Sequence, residues 1–75
     1  MSDERLAELA TRLDEVAEAI ADLAIDAIRE ALQTGQTSRP AAERTLTQAR
    51  RAVDKASHLL RNLERADGLD ADPDV

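Results

Sequence analysis

Residues 6–27 read LAELATRLDEVAEAIADLAIDA, and their apolar side chains recur at alternating steps of three and four. The same alternation returns in the second half of the chain. Because an α-helix turns once every 3.6 residues, this spacing places the apolar groups on one continuous stripe. Each stripe predicts an amphipathic helix that must bury its apolar side against another helix. The two stripes comprise Leu6, Leu9, Leu13, Val16, Ile20, Leu23 and Ala27, and Ala42, Leu46, Ala49, Val53, Ala56, Leu60 and Leu63.

Signals for helix ends bound the first helix at about residues 3–32. Ser2 can cap its amino end, and Asp3 and Glu4 in the first turn suit the positive end of the helix dipole. Gly35 can take the left-handed conformation that often closes a helix. Residues 33–38 are therefore predicted to form a short turn.

The second helix is predicted over about residues 39–66. Ser38 or Arg39 would cap it, with Pro40 in the first turn, where the missing N–H removes no hydrogen bond. Residues 67–75 contain four aspartates, a glycine and a proline. This composition predicts a disordered acidic tail.

A short connector between two long helices predicts an all-α fold, an antiparallel two-helix hairpin. Along the contact between the helices, pairs of two large apolar residues would then alternate with pairs of one large and one small residue. This alternation allows packing without voids. The expected large pairs are Leu9 with Leu63, Leu13 with Leu60, and Ile20 with Val53.

The apolar surface of each helix is wider than one contact requires. Four alanines, at residues 10, 17, 24 and 31, repeat every seven residues beside the first stripe, and Leu59 lies beside the second. Two hairpins pairing into a homodimeric four-helix bundle would cover these flanks. Alternatively, alanine is present only as a good helix former. The predicted core and interface residues are Leu6, Leu9, Leu13, Val16, Ile20, Leu23, Ala10, Ala17, Ala24, Ile28, Leu46, Val53, Leu59, Leu60 and Leu63.

Composition narrows the functional classes. A chain of 75 residues forms one small domain, which rarely gains more than ~3–5 kcal/mol from its own core. Cysteine and aromatic residues are absent, and His58 is the single histidine. No spacing suits a metal, a cofactor, a small-molecule substrate or a catalytic group, so a non-enzymatic protein is expected. Self-association is the remaining means of stabilisation.

The net charge is −6, and acidic and basic residues are concentrated in different halves of the chain. Residues 1–34 hold nine acidic and three basic residues, whereas residues 35–66 hold three acidic and seven basic ones. Arg44, Arg51, His58 and Arg65 recur every seven residues on the second helix. This basic row is a solvated surface, a contact with the acidic helix of another copy, or a strip (Arg44, Arg51 and Arg65) that binds an anionic partner.

The leading functional hypothesis is therefore a helical-hairpin protein that acts through protein–protein contact, as an accessory subunit, adaptor or regulator. The alternative is an accessory protein for nucleic acid that uses the basic row, although the acidic balance and the lack of aromatic side chains argue against it. A leucine-rich helix, a glycine turn and an amphipathic second helix resemble the topology of the exonuclease VII small subunit. Its turn carries a Ser-Gly-x-Leu-x-Leu-type run, where this chain reads TGQTSRP at residues 34–40.

The sequence also bears on location. Its first residues are acidic and carry no basic segment followed by an apolar run, and no stretch reaches the ~18 apolar residues of a membrane span. A cytoplasmic protein is expected. Arginine outnumbers lysine nine to one, a composition typical of GC-rich bacterial genomes.

Overall fold

A computed structural model describes residues 3–69. Two helices, α1 (Asp3–Gln33) and α2 (Ala41–Leu69), lie against each other as an antiparallel hairpin. The all-α hairpin is thus confirmed, and the described residues contain no strand. The predicted tail does not begin at residue 67, because α2 continues through Leu69. Ser2 and residues 70–75 lie outside the described residues.

The turn closes α1 as the sequence predicts. Gly35 has a φ of +84°, which side chains with a Cβ rarely adopt. The N–H of Gln36 donates to the carbonyl of Ala31 at 2.9 Å, and the N–H of Gly35 donates to that of Leu32 at 3.1 Å. This pair of bonds is the Schellman motif, which satisfies carbonyls that the helix end would leave open.

The cap predicted for α2 was wrong by one or two residues. The carbonyl of Pro40 accepts the first helical bonds, from the N–H groups of Glu43 at 3.1 Å and Arg44 at 3.3 Å. Pro40 therefore occupies the cap position, ahead of the first helical residue, Ala41. With neither Ser38 nor Arg39 in that role, the side chain of Arg39 is available to pair with Glu43.

The contact between the helices, here called the seam, uses a different line of residues from the predicted one. On α1 the seam consists of the alanines that were predicted to lie beside the stripe, together with every second residue of the stripe itself. All of these side chains are buried or half-buried. The seam residues of α1 are Leu6, Ala10, Leu13, Ala17, Ile20, Ala24, Ala27 and Ala31.

The other half of the predicted stripe does not enter the seam. Leu9, Val16 and Leu23 are 42%, 47% and 54% exposed, so their assignment to the hairpin contact is corrected. The reason is steric: alanine lets two helices approach more closely than leucine does. The hydroxyl of Ser57 on α2, a side chain of two heavy atoms, lies 3.4 Å from the carbonyl oxygen of Ala10 on α1.

The same rotation applies to α2. Among the α2 side chains that the structure describes, Glu43 and Ser57 are buried, and Leu46, Val53 and Leu60 are half-buried, as expected of seam residues. Leu59 and Leu63 are exposed, and the predicted Leu9–Leu63 pair is not buried. Asp14 bonds both Ser57 and Arg61, which matches the expected antiparallel register to within about half a helical turn.

Candidate functional site

The hairpin has two long sides, which flank the seam and differ in chemistry. Successive residues point 100° apart around a helix, so Asp14 and Val16 lie on opposite sides of the seam. In an antiparallel pair, equivalent flanks of both helices share one side. Asp14 of α1 accordingly meets Arg61 of α2, each one residue beyond a seam leucine. The side that contains Asp14 is called the polar face, and the side that contains Val16 the apolar face.

The polar face is held by contacts across the helices. The hydroxyl of Ser57 donates to Asp14 Oδ1 at 2.6 Å, and Arg61 Nη2 donates to Asp14 Oδ2 at 2.5 Å. These two hydrogen bonds, from Ser57 first, lower the pKa of the Asp14 carboxyl below its usual 3.8. Ser57 is almost fully buried, so its hydroxyl needs a hydrogen-bond acceptor, which Asp14 provides. The network fixes the register of α1 against α2.

A second polar cluster lies nearer the turn and centres on Glu43, which is only 5% exposed. Arg39 donates to both carboxylate oxygens, with Nη2 at 2.8 Å from Oε2, and Thr47 Oγ1 donates to the same oxygen at 2.5 Å. The bonds from Arg39, and then from Thr47, lower the pKa of Glu43 to about 2. The negative charge also suits the first turn of α2.

Sequence reasoning missed both polar clusters. Glu43, Arg50 and Ser57 repeat every seven residues on α2, with the same period as the alanines at residues 10, 17 and 24 on α1. Small residues on α1 and polar residues on α2 thus recur with the same period, and this match was the signal in the sequence that could have predicted the clusters. Among the described residues, no buried side-chain nitrogen or oxygen lacks a hydrogen-bond partner. The polar face is therefore satisfied within the single chain.

The apolar face is not satisfied in this way. It runs the length of the hairpin, and its large side chains are 38% to 57% exposed. Three alanines of α2, two half-buried and one exposed, lie between them. Scattered exposed leucines are ordinary on a protein surface, whereas a row of large apolar side chains along one side indicates an interaction site. Arg12, which pairs with Glu8, borders this row between Leu9 and Val16. The apolar face comprises Leu9, Val16 and Leu23 of α1, and Ala49, Ala52, Ala56, Leu59 and Leu63 of α2.

The apolar flanks predicted beside the two stripes reduce to this one long face. On the polar side, the exposed apolar residues Ile25, Ile28 and Leu32 cluster beside the turn. The predicted core residue Ile28 belongs to this short patch and borders a groove that Glu43 and Thr47 also line. The patch covers only one end of the molecule, so it is not a second full-length surface.

The basic row lies where the sequence places it, on the outside of α2. Arg44, Arg51, His58 and Arg65 are all exposed. Within the described residues, Arg44, Arg51 and Arg65 form no salt bridge, whereas Arg61 pairs with Asp14 and Arg50 with Asp54. Arg44 also donates from Nη1 to the carbonyl oxygen of Arg39 at 3.2 Å, whereas Arg61 links α2 to α1.

The described surface offers little enclosure for a small molecule. Four surface grooves measure about 200 to 290 Å³, below the ~300–1,000 Å³ of typical ligand pockets. Among the side chains that the structure describes, no three His, Cys, Asp or Glu residues are grouped so that they could hold a metal ion. Neither α1 nor α2, as far as the chain is described, is apolar enough over a sufficient length to cross a bilayer. Comparison with protein-family models, curated proteins and solved structures yields no match to this chain.

Proposed function

We propose that this is a non-enzymatic helical-hairpin protein that acts through protein–protein contact, with the apolar face as its binding surface. The observation that carries the proposal is the row of five exposed large apolar side chains along one side of the hairpin, Leu9, Val16, Leu23, Leu59 and Leu63. Water contact with such a row is unfavourable, so covering it stabilises an assembly. An accessory subunit, an adaptor or a regulator would use a surface of this kind.

The proposed assembled form is a homodimer, in which two apolar faces meet to form a four-helix bundle. Helices of about 30 residues are ~45 Å long, and two neighbouring helices are ~20 Å wide, so each copy can bury roughly 900 Å². Stable interfaces bury about 800 Å² per partner. A chain this small also gains limited stability from its own seam, which favours a partner.

Sedimentation equilibrium of the intact chain and two variants tests the proposal. The intact chain should have about twice its single-chain mass of 8.2 kDa at micromolar concentration. Val16→Glu places two charges in the dimer and should weaken it by ~10²–10⁴-fold, because each lost apolar contact costs about 1.5–3 kcal/mol. Ile25→Glu is the matched control, since Val16 and Ile25 are both 47% exposed in the single chain.

Ile25 lies on the polar side, so Ile25→Glu should leave the mass unchanged. Helicity measured at the same concentrations distinguishes dissociation from unfolding. A helical monomer for the intact chain, or equal losses for both variants, would contradict the proposal.

A second candidate function rests on the exposed basic row, whose three arginines form no salt bridge with the described residues. Such a row could bind an anionic partner, nucleic acid included. Replacing Arg44, Arg51 and Arg65 with Gln should then weaken binding to DNA or RNA and flatten its salt dependence, while helicity and dimerisation survive. Equal affinity of the triple variant for either nucleic acid would exclude this candidate.

A further inference from the structure

The two halves of the apolar face are unlike each other. The half on α1 is a ridge of large side chains, Leu9, Val16 and Leu23, whereas the middle of the half on α2 is lined by Ala49, Ala52 and Ala56. A ridge packs well against a smooth alanine surface and poorly against another ridge. The apolar face is therefore complementary to itself only if the α1 half of one copy meets the α2 half of the other.

We infer that the partner of the apolar face is a second copy of this chain, related by a two-fold axis parallel to the helices, so that both turns lie at the same end of the bundle. This inference rests on the proposed function and specifies its geometry. A rotation about such an axis moves no residue along the helices. Residues that lie at the same height along the axis within one hairpin therefore also lie at the same height in the two copies.

The register of the single chain then fixes which residues meet. Asp14 is level with Ser57, so Val16 lies level with the alanines at residues 52 and 56 of the other copy, and Leu23 with the alanine at residue 49. Near the open end of the hairpin, Leu9 lies level with the exposed leucines at residues 59 and 63. Large side chains thus meet small ones through the middle of the interface, and leucines meet leucines at one end.

Charge independently favours the same arrangement. Glu15 and Asp22 are exposed acidic residues on α1, on the outer side of the ridge, whereas Glu8 in the same line is paired with Arg12. In the alternative dimer, with the two-fold axis across the helices, α1 packs on α1 and these like charges approach each other. The corresponding edge of α2 is almost uncharged, with Lys55 as the single ionised residue among Thr45, Gln48, Ala52, Lys55, Leu59 and Asn62. Packing α1 on α2 therefore avoids the repulsion.

The two arrangements differ most at the turn, which makes the distance between turns the measurement of choice. The chain has no cysteine, so Thr37→Cys, in the exposed turn, accepts one spin label per copy. Electron–electron double resonance should give a distance of about 15–30 Å between labels, set by neighbouring helices and the label arms. A distance of about 45–55 Å, the length of the helices, would overturn the inference.

A mixed sample supplies the reciprocal control. Chains labelled at Thr37→Cys are combined with chains labelled at Arg65→Cys, near the open end of α2. The distances unique to the mixture should then be long, about 40 Å or more, and short distances unique to it would count against the shared turn end. Absence of any distance between copies, together with a single-chain mass in sedimentation, overturns the inference and the proposed function together. A dimer mass with turns far apart overturns the inference alone.

Discussion

The polar face and the apolar face flank the same alanine seam, yet they depend on different partners. On the polar face, Ser57 and Arg61 of α2 satisfy Asp14 of α1, and Arg39 and Thr47 satisfy Glu43. On the apolar face, Leu9, Val16 and Leu23 contact no such complement within the chain and stay about half exposed. The polar face therefore determines how the two helices pair, and the apolar face remains available to bind a partner.

The largest effect within the hairpin is expected from enlarging the seam alanines that both faces share. Ala17→Leu or Ala24→Leu forces a large side chain between two close helices and should cost ~1–3 kcal/mol each. Ala19→Leu, an exposed alanine of the same helix, is the control and should change stability by less than about 0.5 kcal/mol. Urea unfolding measures all three. Stabilisation by both seam variants would mean that these alanines face solvent.

The next largest effect is expected from a variant of the polar face that leaves the apolar face unchanged. Ser57→Ala removes the buried hydroxyl that donates to Asp14 and should cost about 1 kcal/mol in the free energy of unfolding. Thr45→Ala, which removes an exposed hydroxyl on α2, controls for the better helix propensity of alanine and should not destabilise. Because the network lies away from the apolar face, Ser57→Ala should keep the dimer mass. A loss of dimer with unchanged helicity would place Ser57 in the interface instead.

Much of this arrangement was predictable, and the part that was not has a definite cause. Helix periods, Gly35 and the short turn determined the hairpin and its approximate register. Two lines of apolar residues, however, share Leu6, Leu13 and Ile20 on α1. One line adds leucines and valine, and the other adds alanines. Periodicity alone favours the larger side chains, whereas the close approach of the helices selects the alanines.

The same limit explains why the polar clusters were missed. The contacts of Glu43 with Arg39 and Thr47 follow the i, i+4 spacing along the chain. The Asp14 cluster joins two helices, however, and only the rotation of each helix about its axis brings its members together and buries Glu43. The rotation of α1 depends on whether its leucine and valine line or its alanine line faces α2. The sequence therefore predicted which residues were apolar, but not which of them would be covered by the chain itself.

A smaller, pH-dependent effect is expected from Glu43. Its pKa in the folded chain, about 2, lies below the ordinary value of 4.5. The ionised form is thus favoured by folding, and this stabilisation is complete above about pH 4.5 and is lost as the pH falls towards 2. Arg39 is largely exposed, so solvent screening limits the gain.

Glu43→Gln tests this point, because its side chain does not titrate. The variant should melt below the intact chain at pH 7, and the difference between their melting temperatures should shrink between pH 4.5 and pH 2. Asp14, whose pKa is also lowered, leaves a residual acid sensitivity in both proteins. A difference that stays constant over this range would show that the pairing of Glu43 does not stabilise the fold.

The smallest effect is expected from the carboxyl-terminal residues. Residues 70–75 read DADPDV and offer no apolar stripe for either face. Deleting them should change the free energy of unfolding by less than about 0.5 kcal/mol, as is usual for changes away from buried features. Thermal melting and sedimentation of the shortened chain provide the measurement. Loss of the dimer on deletion would assign these residues to the interface.

If the apolar face is covered in solution and the polar side is not, single thiols placed on the two sides will react at different rates. Val16→Cys and Ile25→Cys replace residues of equal exposure on opposite sides of the seam, in a chain with no other cysteine. At high concentration, a maleimide should modify Val16→Cys about tenfold or more slowly than Ile25→Cys, a ratio equivalent to ~1.4 kcal/mol of protection. Dilution should remove the difference as the dimer dissociates. Equal rates at every concentration, with the chain fully helical, would show that the apolar face is not covered.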